Sequence, residues 1–269
     1  MRSIFKLKDL YVDRVWGYEK WVLSTHKNGS SFVEGEEKNL YQYIGKELPI
    51  LIKEIKAYDR LSVQVHPTDE YAKKNENDNG KTECWYITNA NEDATLICGV
   101  EEGLNKDNFL NIVKHGEIEK YLTRIKVKKG DMIYIPAGTI HAIEGGLELI
   151  EIQQSSDITY RIYDWGRDRE IHVNKAVNVI NFNKIGNYGK IKNFTVLNTP
   201  YFTVEKLNIN NIYTCKSLNC NYHIYICLEG EGSVTDNNIN ININKGDCVY
   251  VKDNVEYSIK GNMELLKIY

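Results

Sequence analysis

The chain has 269 residues, 34 Lys and Arg against 37 Asp and Glu, and a formal net charge of −3, enough for one large β-rich unit or two compact domains. That balance excludes a global attraction to nucleic acid or to an anionic membrane, so an anionic substrate has to be held by local Lys and Arg. No apolar run approaches the length of a membrane span, and residues 1–8 break into charge too early for a secretory signal, so a cytoplasmic protein is expected. The six cysteines, at 84, 98, 215, 220, 227 and 248, form no Cys-x-x-Cys pair, and reduced, mostly buried thiols are the expectation.

Only four prolines, 19 tyrosines and closely spaced Gly-Asp and Asn-rich turn signals favour a β-rich chain. The strand candidates, in order, are 51–55, 61–66, 83–87, 94–98, 132–135 and 147–153. Two stretches break this pattern. Residues 68–74 begin with an N-cap residue, Thr68, directly after Pro67. Residues 105–120 carry apolar side chains at 109, 110, 112 and 113 with Gly116 as a stop signal, and this predicts a packing helix on the β wall or an inserted cover beside the site.

An internal repeat organises the chain. At an offset of 116 residues, Gly130-Asp131-Met132-Ile133-Tyr134-Ile135 aligns with Gly246-Asp247-Cys248-Val249-Tyr250-Val251, and the gapless match runs on to Ile152 with Ile268, eight of the 23 columns being identical. The copies differ where chemistry would sit: His141 becomes Tyr257 and Glu151 becomes Lys267. In the second copy the run 237–244 alternates Asn and Ile, which predicts a strand with its isoleucines in the core. The repeat predicts an N-terminal catalytic domain over 1–195 and a degenerate, metal-free domain over 196–269.

Candidate ligands fall inside strand phrases of the first copy. Strand side chains alternate between faces, so Gln64 and His66 share a face, and Cys84 turns away from Glu83 into the core. Glu83 and His141 complete a four-donor N/O set suited to zinc or a similar divalent metal, with room for water or substrate. His26, His115, His172 and His223 lack such surroundings and read as surface or structural residues.

A Gly-Asp strand followed by Pro136-Ala137-Gly138-Thr139-Ile140-His141 is the second half of the cupin pattern. The longer phrases Leu61-Ser62-Val63-Gln64-Val65-His66-Pro67, Gly80-Lys81-Thr82-Glu83-Cys84-Trp85-Tyr86 and Gln153-Gln154-Ser155-Ser156-Asp157-Ile158-Thr159-Tyr160-Arg161 closely resemble the short bacterial form of type I mannose-6-phosphate isomerase. The likeness is strong over 48–167 and fainter before it, around Trp16-Gly17 and 21–35. It implies a mainly β fold of two cupin-like (jelly-roll) β-barrels with a few short helices, and one zinc ion per chain on Gln64, His66, Glu83 and His141. The substrate it implies is a hexose 6-phosphate. Arg161, Glu151 and Lys81 would be catalytic, and Lys53, Ser62 and Asp157 substrate-binding. The chain lacks the long helical insertion of larger family members, and its oligomeric state is left open.

Interconverting mannose 6-phosphate and fructose 6-phosphate through an enediolate needs a positioned base and stabilisation of a developing oxyanion. Glu151 is the first candidate for the base, with a carboxyl that partial shielding would raise toward neutrality. It faces inward only if its strand is regular, and a structural pairing of Glu151 with Arg161 is the alternative. Lys81 shares the face of Glu83 and would move protons or hold phosphate. Asp157 would orient Arg161, and Asp164, Arg167, Asp168 and Arg169 read as a solvated charge patch. Two other functions fit the motifs: another metal-dependent cupin enzyme on a sugar or sugar phosphate, and a metal-bearing sugar-phosphate sensor without turnover.

Overall fold

A computed structural model describes residues 2–183, 188–218 and 222–269 of a mainly β chain with a few short helices. It divides into two compact units, Tyr11–Lys20 with Leu51–Lys192, and Met1–Leu10 with Trp21–Ile50 and Asn193–Tyr269. This differs from a division in chain order at residue 195, because Ile4–Lys8 pairs antiparallel with Cys248–Lys252 and Phe32–Val33 pairs with Ile4–Lys8. Strand pairing across more than 200 residues of sequence has assigned these early segments.

The unit containing Leu51–Lys192 is built on two sheets. The seven-stranded sheet runs in the order Gly189–Ile191, Met132–Ile135, Glu83–Ala90, Leu147–Gln154, Ile50–Ala57, Gly17–Leu23, Leu10–Arg14. The five-stranded sheet runs Leu122–Lys126, Thr95–Val100, His141–Ile143, Val63–Val65, Tyr160–Tyr163. A buried cluster that includes Ile55, Trp85, Ile87, Leu96, Ile133, Ile143 and Leu149 draws on both sheets. Strand alternation sends the intervening residues Val63, Val65, Ile97, Ala142 and Ile162 into a second cluster with the helical segment.

That segment forms helix Lys106–Lys114 and a 3-10 turn Ile118–Tyr121. Asn105 caps its start by accepting from the Asp107 and Asn108 N–H groups, and Gly116, at φ 72°, follows its end. Its Phe109 and Ile112 are buried, each stabilising by roughly 1.5–3 kcal/mol, so the segment is a wall helix. Helix Asp69–Asn75 starts at Thr68, whose hydroxyl accepts from the Tyr71 N–H.

Gly17 decides how closely two strands approach. A Cβ there would lie 1.9 Å from the Lys56 carbonyl oxygen, and its φ of 154° is one that L side chains rarely adopt. Only glycine lets the strand bearing Glu19 approach the strand bearing Lys53 so closely.

The other unit carries an eight-stranded sheet in the order Val196–Asn198, Thr203–Lys216, Glu256–Ile268, Tyr222–Thr235, Cys248–Lys252, Ile4–Lys8, Phe32–Val33, with Asn240–Asn244 paired to Tyr222–Thr235. Ile243 is fully buried and Ile239 and Ile241 pack on the same core, while Asn240, Asn242 and Asn244 are exposed. Cys84, Cys98, Cys215, Cys227 and Cys248 are free thiols, and Cys84 is buried as expected; Cys220 lies outside the described residues.

Candidate functional site

Register places the polar residues abreast. Across the five-stranded sheet Cys98 pairs with His141, His141 with Gln64, and Gln64 with Arg161, so these side chains share one face. In the seven-stranded sheet Glu83 lies opposite Gln153, and Glu151 opposite Trp85. The strand's register shift falls earlier, at Glu148/Leu149, which leaves the run through Glu151 regular. Glu151 is accordingly buried, as alternation required.

His66, Glu83 and His141 are buried and bring their donor atoms within 4.8 Å of one another. The His66 Nδ1–H donates to the Ile158 carbonyl at 2.7 Å and the His141 Nδ1–H to the Thr139 carbonyl at 2.9 Å, which leaves both Nε2 lone pairs facing Glu83. Burial and then the Lys81 ammonium hold both rings neutral, His66 well below the usual histidine range and His141 pushed down to about 3. His141 Nε2 lies 3.4 Å from Glu83 Oε1, and His66 Nε2 lies 3.6 Å from Glu83 Oε2. Those separations suit donors about 2.0–2.2 Å from one shared ion.

The Gln64 amide lies 3.3 Å from His141 Nε2, and turned over it presents its carbonyl oxygen to the same point. Glu83 Oε1 is buried and accepts no hydrogen bond. Two neutral imidazoles and a buried carboxylate fit a divalent metal, and they already attract positive charge. Lys81 donates to Glu83 Oε2, and its Nζ lies 3.1 Å from His66 Nε2.

A row of alternating charge runs from this group across the seven-stranded sheet. Glu151 Oε1 lies 3.7 Å from Lys81 Nζ and 3.3 Å from Lys53 Nζ. Lys53 lies 3.9 Å from Glu19, and Glu19 meets Arg14 at 3.0 Å. Burial alone would raise the Glu151 carboxyl, but the Lys81 and Lys53 ammoniums outweigh it and hold the group below its ordinary value. The raised pKa expected at Glu151 is found instead at Glu83, where burial exceeds the pull of Lys81. Burial would lower Lys53, yet Glu19 and Glu151 raise it. Glu151 also accepts from the Trp85 indole N–H at 3.1 Å, and its ion partners are lysines in place of Arg161.

A cavity of about 350 Å³ opens beside the row. Lys53, Ser62, Gln64, Lys81, Glu151, Asp157 and Arg161 all line it, so every sequence candidate except the buried trio His66, Glu83 and His141 touches its wall. Arg161 is positioned by the Glu170 carbonyl, which accepts from Nη1 at 2.6 Å, and by His172, whose Nδ1 accepts its backbone N–H at 3.1 Å. Asp157 is exposed on the cavity wall and supports the charge of Lys53.

Arg14, Trp16, Glu19 and Arg169 also line the cavity, and none of them reads as a site residue from the sequence. The only signal near the first three was the Trp16-Gly17 phrase. The reading of 164–169 as a solvated patch is corrected: Asp164 is buried and both of its oxygens accept from Arg169, at 2.6 and 2.7 Å.

The family model for the mannose-6-phosphate isomerase cupin domain matches residues 190–269. The mannose-6-phosphate isomerase ManA of Bacillus subtilis (strain 168) is 32% identical over 305 residues, covering 96% of this chain and 96% of its own. The crystal structure of the mannose 6-phosphate isomerase from Bacillus subtilis matches with a TM-score of 0.89 at 28% identity, over 100% of both chains. A mannose 6-phosphate isomerase crystallised with zinc and yttrium bound shares the fold at 18% identity, with a TM-score of 0.78 over 100% of this chain and 99% of that one. The mainly β cupin fold expected from the sequence is the one observed, and with a third of its residues shared along nearly the whole length of a curated relative, the chain belongs to the mannose-6-phosphate isomerase family.

Proposed function

We propose that the protein is a zinc-dependent aldose-ketose isomerase that interconverts mannose 6-phosphate and fructose 6-phosphate through an enediolate. The observation that carries this reading is the buried His66, Glu83 and His141 group, with both Nε2 lone pairs turned to one carboxylate and Lys81 linking it to a cavity lined by charged residues. Gln64, His66, Glu83 and His141 would hold the metal. When bound, zinc supplies Lewis-acid polarisation of a substrate oxygen, several kcal/mol as an order of magnitude.

The remaining steps belong to the chain's own side chains. Glu151, kept ionised by Lys53 and Lys81, takes the proton from C2 of the open-chain aldose and returns it to C1. Lys81 sits beside Glu151 and moves the accompanying proton between O2 and O1. Arg161 donates from the neighbouring strand to the oxygen on which charge develops. Ser62, Lys53 and Asp157 orient the sugar from the wall. The charged wall favours turnover over sensing, since the base and the proton carrier lie 3.7 Å apart.

The test is direct. Protein stripped of metal and reloaded with zinc should convert mannose 6-phosphate to fructose 6-phosphate, and Arg161→Ala should lose that activity while keeping its metal. Binding of hexose 6-phosphate without turnover would favour the sensor reading, and dependence on iron with oxygen uptake would favour another cupin chemistry.

A further inference from the structure

Charge is distributed unequally over the cavity wall. Five cationic side chains, Arg14, Lys53, Lys81, Arg161 and Arg169, face three acidic ones, Glu19, Glu151 and Asp157, which leaves a surplus of two positive charges. The lysines are matched locally, Lys81 by Glu83 and Glu151, Lys53 by Glu151 and Glu19. The arginines are placed differently. Arg161 forms no ion pair among the described residues, and its Nε is buried without a hydrogen-bond partner. Arg169 is gripped through Nε and one Nη by the two oxygens of buried Asp164, which leaves its other Nη unclaimed. Arg14 is held through one Nη by Glu19, itself buried.

The strand order sets Arg14 and Arg169 apart from Glu83 and His141. Arg14 ends the outermost strand of the seven-stranded sheet, four places from the strand of Glu83. Arg169 follows Tyr160–Tyr163, the edge strand two places from that of His141. At about 4.8 Å per strand, the strand ending in Arg14 lies on the order of 19 Å from that of Glu83, and the strand preceding Arg169 on the order of 10 Å from that of His141. Guanidiniums anchored on one side by buried acids are preorganised forks for a tetrahedral dianion.

We propose that Arg14 and Arg169 bind the phosphate group of the substrate, at the end of the cavity away from Glu83, with Arg161 between them and the metal ligands. This assignment rests on the sugar-phosphate isomerase reading. It gives the cavity a polarity: the carbonyl end of the sugar lies over the buried histidines, and its phosphate end is fixed by arginines that take no part in proton transfer. Discrimination between a sugar phosphate and the free sugar then resides in residues 14 and 169.

The experiment compares the zinc-loaded wild type with Arg14→Gln and Arg169→Gln. Inorganic phosphate is titrated into each by calorimetry, and mannose 6-phosphate and unphosphorylated mannose are assayed separately. The expected result is a weakening of phosphate binding by about ten- to hundredfold in each variant, the loss of one or two charge-assisted hydrogen bonds. The KM for mannose 6-phosphate should rise by a similar factor, with kcat within about threefold and turnover of mannose unchanged. Phosphate affinity alike in all three proteins would overturn the assignment, as would an equal loss on mannose and mannose 6-phosphate, which marks a structural ion pair. If the wild type converts neither sugar, the isomerase reading fails, and the phosphate titration still decides between a clamp and a structural pair.

Discussion

At the position where one half of the repeat carries His141, with its Nε2 lone pair turned to Glu83, the other carries Tyr257, whose hydroxyl is hydrogen-bonded to His223 and to Tyr225. Where the first has Glu151 between two lysines, the second has Lys267, 3.7 Å from Glu205 and 3.5 Å from the Tyr213 hydroxyl. Both regions bury a polar cluster inside the same strand pattern. In the first, acceptors face one another and leave one oxygen of Glu83 without a donor, even with Lys81 bound to the other. In the second, hydroxyls and an imidazole satisfy each other. The difference teaches that a buried polar group signals function when its hydrogen-bonding capacity is left open, and stability when it is closed.

Substitutions on the two sides can break this contrast. The largest effect is expected for His141→Ala, which should reduce bound zinc from about one ion per chain to a small fraction of that and cut isomerase activity by at least about a thousandfold. Metal analysis of the purified variant checks it, and two ions per wild-type chain would overturn the view that the second region is metal-free. Glu151→Gln should keep the metal and lower kcat by about a hundred- to thousandfold, since it removes the proposed base and little else. In the second region Tyr257→Phe should leave kcat and metal content unchanged and lower stability by about 1–2 kcal/mol in urea unfolding, because His223 and Tyr225 lose their shared partner.

The smallest effect concerns acid. Burial, and then the Lys267 ammonium, pushes His223 down to about 4, with Asp253 opposing weakly. The unfolded side chain, near 6.5, therefore takes up a proton that the folded one refuses. Stability from this group is complete above pH 6.5 and is lost as the pH falls toward 4. Tm measured from pH 7 to 4.5 should fall less in His223→Gln than in the wild type, by roughly 2–4 °C, the shift that about 1 kcal/mol gives in a chain of a few hundred residues. Equal slopes would separate His223 from the acid response.

The sequence made the candidate metal donors legible because they obey a local rule. Gln64 and His66 share a face by alternation, Cys84 and Glu83 oppose, and His141 sits at a fixed distance beyond a Gly-Asp turn. The repeat likewise exposed the loss of His141 and Glu151 from the second copy. What stayed hidden depends on which strands become neighbours. Glu19 and Arg14 enter the charge row only because their strands extend the sheet beyond Ile50–Ala57, and no pattern within residues 10–23 announces that placement. Arg169 looked solvated because its anchor, Asp164, is buried by tertiary packing. The direction of the Glu151 shift was missed for the same reason: Lys53, on the strand Ile50–Ala57, and Lys81, just before the strand Glu83–Ala90 and 28 residues away in sequence, converge on it.

The pairing of Ile4–Lys8 with Cys248–Lys252 has a kinetic meaning. During synthesis, residues 4 and 5 must wait for residues 250 and 251 before they can pair as they do in the folded sheet. A chain growing at about 5–20 residues per second leaves that edge unpaired for on the order of ten seconds or more. The segment Leu51–Lys192 has all five strands of its smaller sheet within itself and can form that sheet in the interval. The region of His66, Glu83 and His141 is thus expected to become protease-resistant first in a refolding time course, with the long-range sheet closing later as the slow, high-contact-order step.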